Sequence, residues 1–150
     1  MSEIVSTRTI ACPPAAVYAM AKQVERFPDV LPDVNKVEIL EDDGQGHTKT
    51  RWLGTIRVGP LTRQISWIEQ DYWQDGEQRC TFELVEGDMK TYSGTWDFTP
   101  LGDGCEVRLV VDFELGIPML GPLVNRMVDQ LMQKNCDQLL EGLEQLVSTA

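Results

Sequence analysis

The sequence lacks the residue patterns of metal sites and of common cofactor sites. It has one histidine, His47, and four cysteines, at positions 12, 80, 105 and 136, with no Cys-x-x-Cys pair among them. A zinc site of the Cys/His type therefore has no support, and no metal is expected. The chain also has no Gly-x-Gly-x-x-Gly, P-loop or His-Glu-x-x-His motif, so no cofactor is expected. The scattered cysteines are expected to be reduced thiols in the core.

The sequence also lacks long apolar runs and basic clusters. No run approaches the ~18 residues that a membrane span needs, and the N-terminal MSEIVSTRTIACPP does not have the basic and apolar regions of a signal peptide. We therefore expect no membrane span and a cytoplasmic location. Thirteen basic residues against 24 acidic ones give a net charge of −11. Because nucleic-acid binding requires a positive face, no nucleic-acid partner is expected.

The composition that is present is that of a globular protein. Of the 150 residues, 42% are hydrophobic and 25% are charged, which is the usual range for a folded domain. A chain of this length forms one domain of ordinary size and buries enough surface to fold without a disulfide or a metal. We therefore expect a single domain over residues 1–150, with the oligomeric state left open.

The first 32 residues predict a strand followed by two short helical segments. Residues 3–10 alternate and are rich in β-branched side chains, which favours a strand. The prolines at 13 and 14 end the strand, and the alanine-rich residues after them predict a helix near 14–22. Pro28 and Pro32 then limit the next segment to a short helix or turn, with Phe27, Val30 and Leu31 pointing inward.

From residue 34 to 113 the sequence alternates with a period of two, which predicts six more strands. Short turns rich in glycine, aspartate and proline separate them, so the connections are hairpins and the sheet is antiparallel. Each strand has one apolar face and one polar face. The residues expected on the inner face are Val37, Ile39, Thr48, Thr50, Trp52, Ile65, Trp67, Cys80, Phe82, Leu84, Tyr92, Gly94, Trp96, Phe98, Val107, Leu109, Val111 and Phe113.

The last part of the chain predicts one long amphipathic helix. Its apolar residues recur at helical spacing over about seven turns, from Leu120, Leu123, Val124, Met127 and Val128 to Leu143, Leu146 and Val147. Such a stripe needs a long apolar surface, and the inner face of the sheet is the candidate. The expected fold is α+β: a curved seven-stranded antiparallel sheet around a long C-terminal helix, with two short helices after strand 1 and an internal hydrophobic cavity.

Three stretches resemble a known family. They are Val24 to Val37 (VERFPDVLPDVNKV), Phe82 to Phe98 (FELVEGDMKTYSGTWDF), and the closing amphipathic helix. Together they resemble the START-like, or Bet v1-like (SRPBCC), superfamily, and within it the polyketide cyclase/dehydrase and coenzyme Q-binding group. The resemblance implies a helix-grip fold with an internal tunnel for lipids, quinones, sterols or polyketides. It also implies that relatives differ in role, since some catalyse cyclisation or dehydration, some only carry ligands, and one bacterial branch associates with ribosomes.

The candidate cavity residues come from the inner face of this fold. Aromatic side chains and a few polar groups are typical of small-molecule pockets, although core filling is the alternative for each residue. Tyr92 adds a hydroxyl, and the amide of Asn135 interrupts the apolar stripe of the long helix, so either could orient a ligand. The candidates are Phe27, Leu31, Trp52, Trp67, Phe82, Tyr92, Trp96, Phe98, Met127, Leu131 and Asn135.

No catalytic residue can be named from the pattern. His47 lies in an acidic, glycine-rich turn rather than in a cleft. Glu83, Asp97 and Asp112 fall on the solvent face, and no pair of carboxyl groups is expected to face inward. The favoured hypothesis is therefore a non-catalytic carrier or binder of a hydrophobic small molecule such as a lipid, quinone or polyketide. The alternatives are a polyketide cyclase or dehydratase and, less favoured without a basic patch, a ribosome- or protein-interaction module.

Overall fold

The computed structural model describes residues 2–58, 60–115 and 122–149, which form one antiparallel sheet that packs on a long C-terminal helix. The seven strands in this part of the chain lie in the order β1-β7-β6-β5-β4-β3-β2. The expected α+β helix-grip fold is confirmed. In chain order the elements are β1 (Ser2–Ile10), α1 (Pro14–Ala21), a 3₁₀ helix (Val24–Asp29), β2 (Val34–Asp42), β3 (His47–Val58), β4 (Leu61–Gln74), β5 (Arg79–Gly87), β6 (Met89–Leu101), β7 (Gly104–Leu115) and α2 (Pro122–Ser148).

Helix α2 packs its apolar stripe against the inner face of the sheet. Its buried residues, which include Val128, Cys136, Leu140, Leu143 and Leu146, follow the helical spacing that the sequence predicts. Leu120, which was expected to begin this stripe, lies outside the described residues, as do the side chains of Leu123 and Val124. In the described residues, no helix is both long enough and apolar enough to cross a membrane.

Polar contacts fix α2 to the edge strand β1. The Ser6 hydroxyl donates a hydrogen bond to Asp137 at 2.5 Å. Arg8 donates through Nε and Nη2 to Oε1 of Glu144, at 2.9 Å and 2.7 Å. Because both contacts join residues more than 130 positions apart, they hold the helix in one register along the sheet.

The short helical segments cover one end of the space between the sheet and α2. Proline at the first position of α1 suits the start of a helix. The ring of Tyr18 packs edge-on against Trp73 and Phe98, with centroids 5.6 Å and 5.4 Å away. Its hydroxyl donates to Asp75 at 2.7 Å. Phe27, in the 3₁₀ helix, is 1% exposed.

A glycine in β6 allows an aromatic ring to lie close to the sheet. Gly94 pairs directly with Phe82 of β5. A Cβ atom at position 94 would come within 2.7 Å of the Phe82 ring and would also clash with the carbonyl of Val110. Glycine is therefore required where the Phe82 ring crosses the neighbouring strand.

Two strands differ from the sequence prediction. Ile39 was expected on the inner face but is 37% exposed, because β2 is an edge strand whose pairing with β3 is irregular between Ile39 and Glu41. Strand β4 also continues to Gln74, well past Trp67, the last of its residues that was expected on the inner face. The second difference places three further side chains, those of Glu69, Asp71 and Trp73, on the inner face.

Candidate functional site

A cavity of about 110 Å³ lies between the inner face of the sheet and α2. Most of its wall is apolar, and α2 closes it with Met132, Cys136 and Leu139. Asp33, Thr55 and Gln138 also line it and are only partly buried, so they mark its polar rim. The space has the character of a small-molecule pocket, with a hydrophobic wall and few polar groups.

Seven of the residues predicted from the sequence line this cavity: Leu31, Trp52, Trp67, Phe82, Tyr92, Trp96 and Asn135. Phe27 and Phe98 do not line it, because they pack behind the wall. Phe27 lies against Trp52 with ring centroids 6.1 Å apart, and Phe98 is enclosed by Tyr18 and Trp96. Phe27 and Phe98 therefore fill the core, which is the alternative role that the sequence analysis gave for each candidate residue.

On α2, the structure corrects the prediction for two residues. Met127 and Leu131 are partly buried but do not line the cavity in the described part of the chain. The helix presents Met132, Asn135 and Leu139 instead. Because neighbouring helical residues are rotated by about 100°, Leu131 points away from the direction that Met132 takes.

The aromatic side chains form a continuous surface across β3, β4, β5 and β6. Trp52 and Trp67 are cross-strand partners whose rings are nearly parallel, with an interplanar angle of 6° and centroids 5.8 Å apart. The ring of Tyr92 lies 5.5 Å from that of Trp67 and 5.2 Å from that of Phe82. A ligand in the cavity would therefore meet flat aromatic faces on the sheet side.

Two acidic residues of β4 lie on the same inner face. Glu69 and Asp71 are each 5% exposed. Glu69 lines the cavity, and Asp71 lies next to it, outside the lining. Acidic side chains are almost never this buried unless they are paired or hydrogen-bonded, so their partners decide what they can do.

Hydrogen bonds from β3 favour the ionised form of Asp71. Its Oδ2 atom accepts a bond from Thr50 at 2.8 Å and a longer one from Thr48 at 3.4 Å. Glu69 also hydrogen-bonds to it. Burial has the largest effect and raises the pKa of Asp71, and these three bonds offset part of that rise.

Glu69 is the member of the pair whose pKa is raised more strongly. Burial and the neighbouring charge of Asp71 raise the pKa of Glu69 well above its usual value. One of its oxygens, Oε1, accepts a hydrogen bond from the indole nitrogen of Trp67 at 2.9 Å. We infer that at neutral pH Glu69 is a carboxylic acid that donates to the Asp71 carboxylate.

Further polar groups reach the cavity beside Glu69. Burial raises the pKa of Tyr92 well above its usual range, so its hydroxyl stays protonated and can donate to a ligand. Asn135 adds an amide, and Cys136 adds a thiol whose pKa burial raises to about 12. A polar ligand atom close to Glu69 would therefore find donors from β6 and from α2.

The sequence prediction that no carboxyl pair faces inward was wrong. The signal was present in the alternation Ile65, Trp67, Glu69, Asp71, Trp73, which keeps one parity along β4. Two acids on a strand face otherwise made of apolar side chains indicate a polar site. Glu83 is exposed, as expected, while Asp97 and Asp112 are only partly exposed.

His47 lies away from the cavity. Its Nε2 atom is 2.9 Å from the side-chain oxygen of Gln70, and its ring stacks on Tyr72 with centroids 4.8 Å apart. Cys80, Cys105 and Cys136 are buried free thiols, and Cys12 is partly buried. Within residues 2–58, 60–115 and 122–149, no group of three or more potential metal ligands comes together.

Comparison with known proteins identifies related chains. A family model described as "Polyketide cyclase / dehydrase and lipid transport" matches residues 10–140. The crystal structure of TTHA0849 from Thermus thermophilus is 36% identical and superposes with a TM-score of 0.91. The two chains overlap almost completely, over 99% of this chain and 98% of the other.

Two curated relatives have different roles. The actinorhodin polyketide synthase bifunctional cyclase/dehydratase of Streptomyces coelicolor is 30% identical over 112 residues, or 73% of this chain. The chain spans 34% of that relative's length. The ribosome association toxin RatA of Pseudomonas aeruginosa is 26% identical over 131 residues, which cover 81% of this chain and 87% of RatA.

Proposed function

Since the chain belongs to the polyketide cyclase/dehydrase and lipid transport family, we propose that it binds a hydrophobic small molecule with one polar end in its internal cavity. The observation that carries this proposal is the aromatic wall around a single buried carboxyl group, Glu69. Contact with the aromatic faces would supply most of the affinity. Hydrogen bonds to Glu69, Tyr92 or Asn135 would orient the polar end.

A neutral aromatic probe tests this proposal. We expect 2-naphthalenemethanol to bind the native protein at one saturable site, measured by calorimetric titration. Met132→Trp should abolish binding, because residue 132 lines the cavity and a larger ring there fills it. Leu101→Trp is the matched control, since Leu101 is 49% exposed and should leave binding unchanged. Binding that appears only when the protein is partly unfolded would contradict the proposal.

A second candidate function is a dehydratase or cyclase, and Glu69 is the observation that favours it. Loss of water from a β-hydroxy ketone breaks a C–O bond, removes an α proton and forms a C=C bond. Glu69 can give its proton to the departing hydroxyl group and take the α proton in its place, so the carboxyl pair ends with the number of protons it began with. The raised pKa of Glu69 favours the protonated form that this step requires.

A simple substrate separates the two candidates. An enzyme should accelerate dehydration of 4-hydroxy-4-(2-naphthyl)butan-2-one to its conjugated enone, followed by the enone absorbance. Glu69→Gln should then lower that rate by about 100-fold or more, while Glu83→Gln, an exposed change on β5, should not. If the wild-type rate equals the rate in buffer while 2-naphthalenemethanol still binds, the protein is a carrier and not a dehydratase of this substrate.

A further inference from the structure

We propose that the cavity selects ligands that carry a protonated amine, with the ammonium group placed at the Glu69–Asp71 pair among the faces of Trp52, Trp67 and Tyr92. This inference rests on the proposed function, because it specifies the polar end of the ligand that the cavity takes. It is carried by the charge of the site, by its hydrogen bonds and by its aromatic lining.

The first argument is that the carboxyl pair has no positive partner. In the described part of the chain, no lysine or arginine forms an ion pair with Glu69 or Asp71, and no basic residue lines the cavity. The titratable groups around the pair are Cys80 of β5, Tyr92 of β6 and Cys136 of α2. His47 acts on Asp71 only from the outer face of β3.

The second argument is the energetic cost of such a charge. A buried carboxylate normally has an opposite charge as well as hydrogen bonds. Asp71 has hydrogen bonds from Thr50, Thr48 and Glu69, which satisfy its oxygens but leave the negative charge uncompensated. A cation in the adjacent cavity would supply the missing charge.

The third argument is the position of the aromatic rings. Cations bind favourably over the faces of tryptophan and tyrosine, and aromatic cages for ammonium groups use this effect. The indole N–H of Trp67 donates to Glu69 at 2.9 Å, so this ring lies directly beside the carboxyl group. The Trp52 ring lies parallel to it, and the Tyr92 ring lies 5.5 Å from it. The ammonium group of a ligand could therefore contact carboxyl oxygens and aromatic faces together.

The negative net charge of the protein also favours a cationic ligand. At −11, its electrostatic field attracts cations and raises their concentration near the surface. The apolar body of an amine ligand would extend from the carboxyl pair along Phe82, Trp96 and Leu109, which continue the cavity wall. A hydrophobic primary or tertiary amine has the required combination of groups.

A matched pair of ligands tests this inference: 2-naphthylmethylamine, which is cationic at neutral pH, and the neutral 2-naphthalenemethanol. We expect the wild-type protein to bind the amine at least about tenfold more tightly than the alcohol. The double variant Glu69→Gln/Asp71→Asn should bring this ratio close to one, because it should weaken binding of the amine much more than binding of the alcohol. The control Glu83→Gln/Glu86→Gln removes the same two charges from exposed positions and should keep the preference.

The titrations separate the two proposals. If neither compound binds, the proposed function fails, and this inference fails with it. If both bind equally well to the wild-type protein, or if the double variant keeps the preference, only the inference on amines is overturned. Should the double variant not fold, the wild-type protein is titrated between pH 6 and 8. There the affinity for the amine should rise with pH, because the ammonium group displaces the proton shared by the pair, and a ratio near one at every pH overturns the inference.

Discussion

Replacing Trp96 with alanine is expected to lower the free energy of unfolding by about 3–5 kcal/mol. Trp96 is 8% exposed and lies in the middle of β6, between Cys80 of β5 and Leu109 of β7. Its ring stacks on Phe98 with an interplanar angle of 4°. Truncation removes these contacts and extends the cavity into the sheet centre. Urea denaturation followed by circular dichroism measures the change.

The matched control for this substitution is Tyr72→Ala. Tyr72 lies on the outer face of β4 and is 37% exposed, so its removal exposes little apolar surface and should cost less than about 1 kcal/mol. A loss below about 1 kcal/mol for Trp96→Ala itself would mean that the ring contributes little to the core.

Stability is expected to fall as the pH rises through the neutral range because of Glu69. An unfolded Glu69 has an ordinary pKa near 4.3, whereas in the folded protein burial and Asp71 raise its pKa well above that value. Between these two values the folded protein holds a proton that the unfolded chain has lost. The free energy of unfolding therefore decreases with rising pH in this window, by up to about 1.4 kcal/mol per pH unit.

Glu69→Gln isolates this contribution. Glutamine can keep the hydrogen bonds to Trp67 and Asp71 but does not titrate, so the variant should gain stability relative to the wild type as the pH rises from 5 to 8. Glu83→Gln, on the exposed face of β5, should follow the wild-type curve. Parallel curves for wild type and Glu69→Gln over this range would show that Glu69 is ionised in the folded protein.

The fold could be predicted largely from the sequence because its signals are local. The alternation of each strand and the helical spacing of α2 depend on neighbouring residues, and all seven strands, α1 and α2 were confirmed. The resemblance to the polyketide cyclase/dehydrase group was confirmed by the family model over residues 10–140. Ile39 was misplaced because nothing in its own segment reveals that β2 is a bulged edge strand.

The site was less predictable because its position depends on how α2 crosses the sheet. Because alternate residues of a strand face the same side of the sheet, Trp96 and Phe98 were predicted on the correct face. This rule does not show that Phe98 lies beyond the cavity, where Tyr18 packs. Likewise, the apolar stripe of α2 does not show that Met132 lines the cavity and Leu131 does not. Glu69 and Asp71 were missed because the inner-face residues predicted for β4 ended at Trp67, before the two acids that share this face.

The distribution of the tryptophans gives the protein a built-in optical reporter. Trp52, Trp67 and Trp96 line the cavity, and Trp73, the fourth tryptophan, is buried farther along β4. Near-ultraviolet light that the protein absorbs is therefore captured mostly by indoles in the wall or close behind it. A bound molecule whose absorption overlaps indole emission would receive this excitation by energy transfer. Occupancy of the unlabelled protein can then be followed as loss of its own fluorescence.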